Sequence, residues 1–300
     1  MTRAGLDSTP RPAPSRDRAR RGTQGQSVVT AAWRLLSSRV TAWTVAGVAL
    51  VTALAAILLP GGGGAVSPDA ASFDGLPQVG ALFQGAWQSS PHFCTASVVN
   101  SPSGDVIATA AHCLSGDAKD LEFVPMYHDG QAPYGAWSVT GAYISQRWLL
   151  HQDPQADFAF LTVKPRDVGG TERTLQSVVG GDPLVVGRQL PQWTVVVGYP
   201  AGTGGGPVIC LNQAVARRGY PSFRCGGFVD GTSGGPWLAD YDSATGRGDL
   251  YGVTGGRHQG GCVTWVSFSS SFSVDTTAVY ERAVTGRPPD MVPGAQPVSC

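Results

Sequence analysis

Residues 109–113 read TAAHC, residues 156–163 read ADFAFLTV and residues 230–236 read DGTSGGP. The third stretch decides how the other two are read. Ser233 lies in a glycine-rich loop, where a hydroxyl stands exposed on a tight turn and a substrate chain can come close over Gly234 and Gly235. Gly231 can adopt backbone angles that free its N–H to face a developing oxyanion. On its own such a loop is also an ordinary turn. TAAHC gives it a partner, because a neutral imidazole at His112 can take a proton from a serine and hand it on. His112 follows an apolar run, and none of the other four histidines (His92, His128, His151, His258) has so distinctive a setting. ADFAFLTV places Asp157 at the mouth of an apolar strand, where a buried carboxylate fixes the tautomer of an imidazole. Asp153 competes for that role, but its context, QDPQ, reads as a solvated turn.

Composition narrows the class. Of the 300 residues 14% are charged, and the formal net charge is +0. That balance excludes a phosphate-neutralising nucleic-acid surface and a charge-rich disordered chain. The 41 glycines and 22 prolines suit many short strands joined by turns better than long helices. Strands are expected near 79–83, 95–100, 106–110, 121–126, 137–145, 158–163, 193–198, 208–214, 235–239, 250–254 and 263–268, with one late helix over TTAVYERAV capped by Asp275. The fold class is therefore all-β and antiparallel. The six cysteines (Cys94, Cys113, Cys210, Cys225, Cys262, Cys300) contain no C-x-x-C pair, so a zinc site has little support and disulfides in an oxidising compartment are the better reading. Neither a metal nor a cofactor is expected.

The beginning of the chain differs in character. Residues 1–40 carry Arg3, Arg11, Arg16, Arg18, Arg20, Arg21, Arg34 and Arg39 against Asp7 and Asp17, whereas residues 41–59 carry no charge. The uncharged run is long enough to cross a bilayer, and the arginine excess before it keeps the N-terminus in the cytoplasm and exports the rest. It reads either as the apolar region of a signal peptide cut at small residues such as Gly63 and Ala65, or as an uncleaved anchor in contact with the membrane. The resulting division is a leader over 1–40, the apolar segment over 41–59, a Gly/Pro-rich linker over 60–72, a main domain over 73–287 dividing near 175–185, and a tail over 288–300.

TAAHC, DFAFL and GTSGGP, in that order, resemble the chymotrypsin-type (trypsin-like) serine peptidase family, and the composition resembles its secreted actinomycete members. The order histidine, aspartate, serine is that family's own. The resemblance covers roughly residues 73–284. It implies two six-stranded antiparallel β-barrels with a C-terminal helix, and a serine endopeptidase acting on peptide or protein substrates as a monomer. It assigns His112, Asp157 and Ser233 to the catalytic triad and the N–H groups of Gly231 and Ser233 to the oxyanion hole. It places Gly227, Thr254 and Gly256 in the substrate pocket and pairs Cys94 with Cys113 and Cys210 with Cys225. Three departures stand out. Thr232 replaces the aspartate that precedes the serine in animal members. Gly227 stands where an acidic pocket floor would select arginine or lysine, which leaves a small or apolar P1 residue as the expectation. Val229 replaces the usual partner of Cys262, leaving Cys300 for it. A catalytically silent relative that binds peptides or proteins is the alternative.

Overall fold

The computed structural model describes residues 67–201 and 205–292. The leader and the apolar segment 41–59 lie outside the described residues, and no helix among the described residues is long and apolar enough to cross a membrane. In chain order the strands are β1 (Ala71–Ser72), β2 (Val79–Gln84), β3 (His92–Val99), β4 (Val106–Thr109), β5 (Leu121–Pro125), β6 (Trp137–Ile144), β7 (Ala159–Val163), β8 (Arg166–Asp167), β9 (Glu172–Arg173), β10 (Gln192–Gly198), β11 (Val208–Arg217), β12 (Tyr220–Phe223), β13 (Pro236–Asp242), β14 (Arg247–Val253) and β15 (Ser267–Phe268). Three helices, α1 (Gln146–His151), α2 (Leu175–Val179) and α3 (Val274–Val284), lie between or after them.

The first half closes on itself as a barrel in the order β2-β3-β4-β7-β6-β5. Closure removes free edges and leaves the inward residues to fill the interior. Val98, Ile107, Phe123 and Leu161, which the register puts on one face, are all buried there. The second half is a seven-stranded sheet in the order β14-β13-β10-β11-β12-β15, with β1 added on β11. The second closed six-stranded barrel is thus not formed by continuous strand pairing. The two ends of this sheet meet through the isolated bridge Thr254–Ser269 and a hydrogen bond from Val253 N–H to the Ser269 hydroxyl. The reason lies in residues 256–266. The strand foreseen over 263–268 shrinks to Ser267–Phe268, because Gly260 and Gly261 take positive φ and the Val263–Val266 bridge closes a small loop.

The ends of the described unit also differ from the sequence expectation. Part of the foreseen linker is docked: Ala70 N–H donates to Gly226 O at 2.8 Å, Gly226 N–H to Pro68 O at 2.8 Å, and β1 pairs with β11. Part of the foreseen tail is docked as well. Asp290 accepts from Ile144 N–H at 2.8 Å and pairs with Arg282 at 2.5 Å. Helix α3 is capped by Ser273, whose hydroxyl accepts from Asp275 N–H, with Thr276 completing a capping box. Asp275 sits in the first turn and accepts from the Ser145 hydroxyl at 2.7 Å. Cys94–Cys113 and Cys210–Cys225 are disulfides, and no described cysteine is free. Cys300, the foreseen partner of Cys262, lies outside the described residues.

Barrel and sheet are connected through α2 and Asp182. Asp182 N–H donates to Val98 O and Asp182 O accepts from Asn100 N–H, so its backbone extends the edge of β3. Its fully buried carboxylate accepts from Gln78 at 3.3 Å and from Gly248 N–H at 3.1 Å, one group on each half. Burial pushes its pKa up to about 6, against the hydrogen bonds from Gly248 and Gln78, which lower it. A carboxyl raised in the folded state binds its proton there more tightly than in the unfolded chain. Its contribution is therefore full below the unfolded value near 3.8 and is lost as the pH rises through about 6. Denaturant unfolding between pH 4 and 7 should show a loss of about 3 kcal/mol across that window, and Asp182→Asn should flatten it. An equally steep profile in the variant would place the effect at another group.

Candidate active site

His112 belongs to a short 3₁₀ turn, Ala111–Cys113, that follows β4. The Cys94–Cys113 disulfide ties that turn back to β3. Asp157 ends a second 3₁₀ turn, Pro154–Ala156, just before β7. Since β4 and β7 are neighbours, with Thr109 opposite Ala159, the barrel brings the two turns together. The His112 Nδ1–Asp157 Oδ2 distance is 2.8 Å. Asp157 is fully buried and accepts two further hydrogen bonds, from His112 N–H at 2.9 Å and from Gly256 N–H at 2.7 Å. Three donors on a buried carboxylate offset the loss of water around it. With Nδ1 carrying the hydrogen toward Asp157, the lone pair of the ring is on Nε2. Asp153 is engaged elsewhere: it caps the Pro154–Ala156 turn and pairs with Arg147 at 2.6 Å.

The Ser233 loop is held against both halves. Thr95 N–H of β3 donates to Ser233 O at 2.7 Å, and Gly234 N–H donates to Thr254 O at 2.7 Å. The approach is so close that a Cβ on Gly234 (φ +80°) would lie 2.2 Å from both Thr109 Oγ1 and Thr95 O. Gly231 (φ +90°) is equally confined, with Ala201 N and Tyr199 O within 2.6 Å of such a Cβ. Glycine is the residue that takes these angles in that space. Neither Gly231 N–H nor Ser233 N–H makes a hydrogen bond among the described residues, so both stay available as donors.

Several residues that shape this loop escaped the sequence reading. The Thr95 hydroxyl donates to Gly231 O at 2.9 Å and accepts from Tyr199 N–H at 2.9 Å, locking the turn that carries Gly231. Thr109 Oγ1 donates to Thr95 O at 2.8 Å. Buried His92 meets Pro200 O through Nε2 at 3.0 Å, next to Ala201, whose N–H donates to Asp230 O. Burial lowers the His92 pKa, against backbone hydrogen bonds that raise it. Thr95 and His92 sit inside β3 and carry no local signature, whereas Thr109 opens the TAAHC stretch.

A cavity of about 490 Å³ opens beside Ser233. Phe228, Thr232, Thr254, Gln259 and Val266 are among its lining residues. Of the three foreseen pocket residues, only Thr254 lines it, and the Thr254 hydroxyl accepts from Trp237 Nε1–H at 3.1 Å. Gly227 and Gly256 do not line the cavity. Gly227 packs near Ala70, and Gly256 serves the Asp157 carboxylate. Cys94, His112 and Cys113 lie close enough together to suggest metal ligands, but both sulfurs are consumed in the disulfide.

A family model described as the trypsin-like peptidase domain matches residues 94–246, just over half of the chain. The comparison with curated protein sequences gives no significant match. Among solved structures, the protease Anisep from Arthrobacter nicotinovorans is similar with a TM-score of 0.60 and 23% identity, covering 71% of this chain and 98% of its own. The thermostable serine protease AL20 from an extremophilic microorganism has a TM-score of 0.58 and 27% identity, over 70% of this chain and 97% of that one. A Glu endopeptidase solved with MPD has a TM-score of 0.54 at 16% identity, over 73% and 97%, a likeness of fold alone. The closed barrel, the Ser233 loop and the family match together establish that the chain belongs to the trypsin-like peptidases, a family of serine-type hydrolases.

Proposed function

We propose that the chain is an exported serine endopeptidase in which Ser233 is the nucleophile, His112 the general base and Asp157 the group that orients it. The observation that carries this reading is the His112–Asp157 pair at 2.8 Å on a fully buried carboxylate, with the Ser233 loop held on the same barrel edge through Thr95. Ser233 Oγ bonds to the carbonyl carbon of the scissile peptide and its proton moves to His112 Nε2. The carbonyl oxygen becomes an oxyanion that takes hydrogen bonds from Gly231 and Ser233 N–H. The C–N bond then breaks, the proton passes from Nε2 to the leaving amine, and an acyl-enzyme remains. Water repeats the sequence on the ester and restores Ser233. Asp157 keeps its charge throughout and steadies the imidazolium.

The two disulfides support export, since such bonds persist in oxidising compartments. The uncharged run over 41–59 supplies the route as a signal segment or an anchor. Every group named above comes from one chain, which suits a monomer acting on peptides or proteins.

Hydrolysis of a mixed peptide pool should fall by several orders of magnitude in Ser233→Ala, because the triad acts as a unit. Unchanged turnover would put the chemistry elsewhere, and no turnover in the unmutated chain would favour a silent binding relative. Asp157→Asn keeps the shape but sets an amide where three donors converge, so it loses either the His112 Nδ1 and Gly256 N–H contacts at the Oδ2 position, and with them the His112 tautomer, or the His112 N–H contact at the Oδ1 position. Its kcat should drop by roughly 10⁴-fold. A drop below about tenfold would show that Asp157 does not orient the base.

A further inference from the structure

The wall of the cavity beside Ser233 contains a strained turn. His258 (φ 52°, ψ 40°) and Gln259 (φ 51°, ψ 34°) are consecutive residues with side chains in the left-handed region. That conformation is costly for such residues, and it persists where the surroundings dictate it, commonly at ligand sites. Gln259 N–H to Gly256 O at 2.9 Å and Gly261 N–H to His258 O at 3.1 Å close the turn. Its effect is to make Gln259 part of the cavity lining.

Two of the hydroxyls around the cavity are already engaged. The Thr232 hydroxyl donates to Val229 O at 2.7 Å, and that of Thr254 is taken by Trp237. The Gln259 carboxamide and the hydroxyl of largely buried Ser267 make no hydrogen bond among the described residues. Among the described residues the one ionisable side chain in the lining is that of Asp230, which is exposed to solvent. A lysine, arginine or glutamate side chain entering here would lose water without meeting a buried counter-charge. A purely apolar side chain would dry the Gln259 and Ser267 groups and leave them unpaired. A long side chain with a neutral polar end avoids both costs, its methylenes lying against Phe228 and Val266 and its amide meeting Gln259.

We propose that Gln259, with Ser267, makes this cavity select an uncharged, hydrogen-bonding P1 side chain, with glutamine as the type. The inference rests on the reading of Ser233 as the nucleophile, and it revises the small or apolar P1 residue that the sequence suggests. The test measures binding of hexapeptides that differ only at P1 (Gln, Leu, Glu, Lys) to the full chain carrying Ser233→Ala, so that P1 order is read without turnover. The Gln peptide should bind about tenfold more tightly than the others. Adding Gln259→Glu keeps the turn's shape and introduces a charge, which should move the preference to Lys. A flat order, a preference for Leu, Glu or Lys before that change, or an order that Gln259→Glu leaves intact would each overturn the proposal. Hydrolysis of the same peptides by the unmutated chain reports separately on Ser233.

Discussion

Asp157 is an ionisable group with no exposure to solvent, and its burial constrains the structure around it. A buried carboxylate must be matched by donors. Here they come from His112 N–H, His112 Nδ1 and Gly256 N–H. The barrel contributes the first two and the turn after β14 contributes the third, so the carboxylate also joins the two halves. Gly255 lies so close that a Cβ there would be 3.0 Å from Asp157 Oδ2. Glycine at this point lets the second half reach the carboxylate at all.

The same economy of space governs the Ser233 loop. The Thr95 hydroxyl, Thr109 Oγ1 and the bare Cα of Gly234 interlock without room for a methyl group. This packing confines the backbone through Gly231 and Gly234. In the proposed mechanism the N–H groups of Gly231 and Ser233 are the oxyanion donors, and donors held in place need no rearrangement when charge develops beside them. The roles of the strands are therefore indirect: β3 and β4 supply the threonines, and β7 sets the depth of Asp157.

Much of this was legible in the sequence. The nine runs with clear apolar patterning from Val79 to Ala239 appear as strands with ends shifted by a few residues. The local signatures point to His112 and Asp157, which lie 2.8 Å apart, and to the Ser233 loop, which Thr95 N–H holds against β3. Thr95 and His92 were not legible, because a threonine or histidine inside a strand has no pattern that distinguishes a structural hydrogen bond from simple packing. β12, from Tyr220 to Phe223, is absent from the expected strands; it is four residues long and contains Pro221, which weakens the strand pattern. The stretch Val263–Phe268 misled in the opposite direction. Its β-branched and aromatic residues read as a strand, whereas the preceding glycines bend it into the cavity wall. The pocket residues Gly227 and Gly256 were assigned by family position, and in this chain one packs near Ala70 and the other serves Asp157.

The central claim is that Ser233 is an activated nucleophile in a formed site. The direct measurement is labelling of the folded, oxidised protein with a fluorophosphonate, followed by mapping of the modified peptide. The account predicts one label per chain, on Ser233, lost on unfolding and lost when His112 is replaced by alanine. A folded protein that takes no label at Ser233, or that labels equally well without His112, would contradict it.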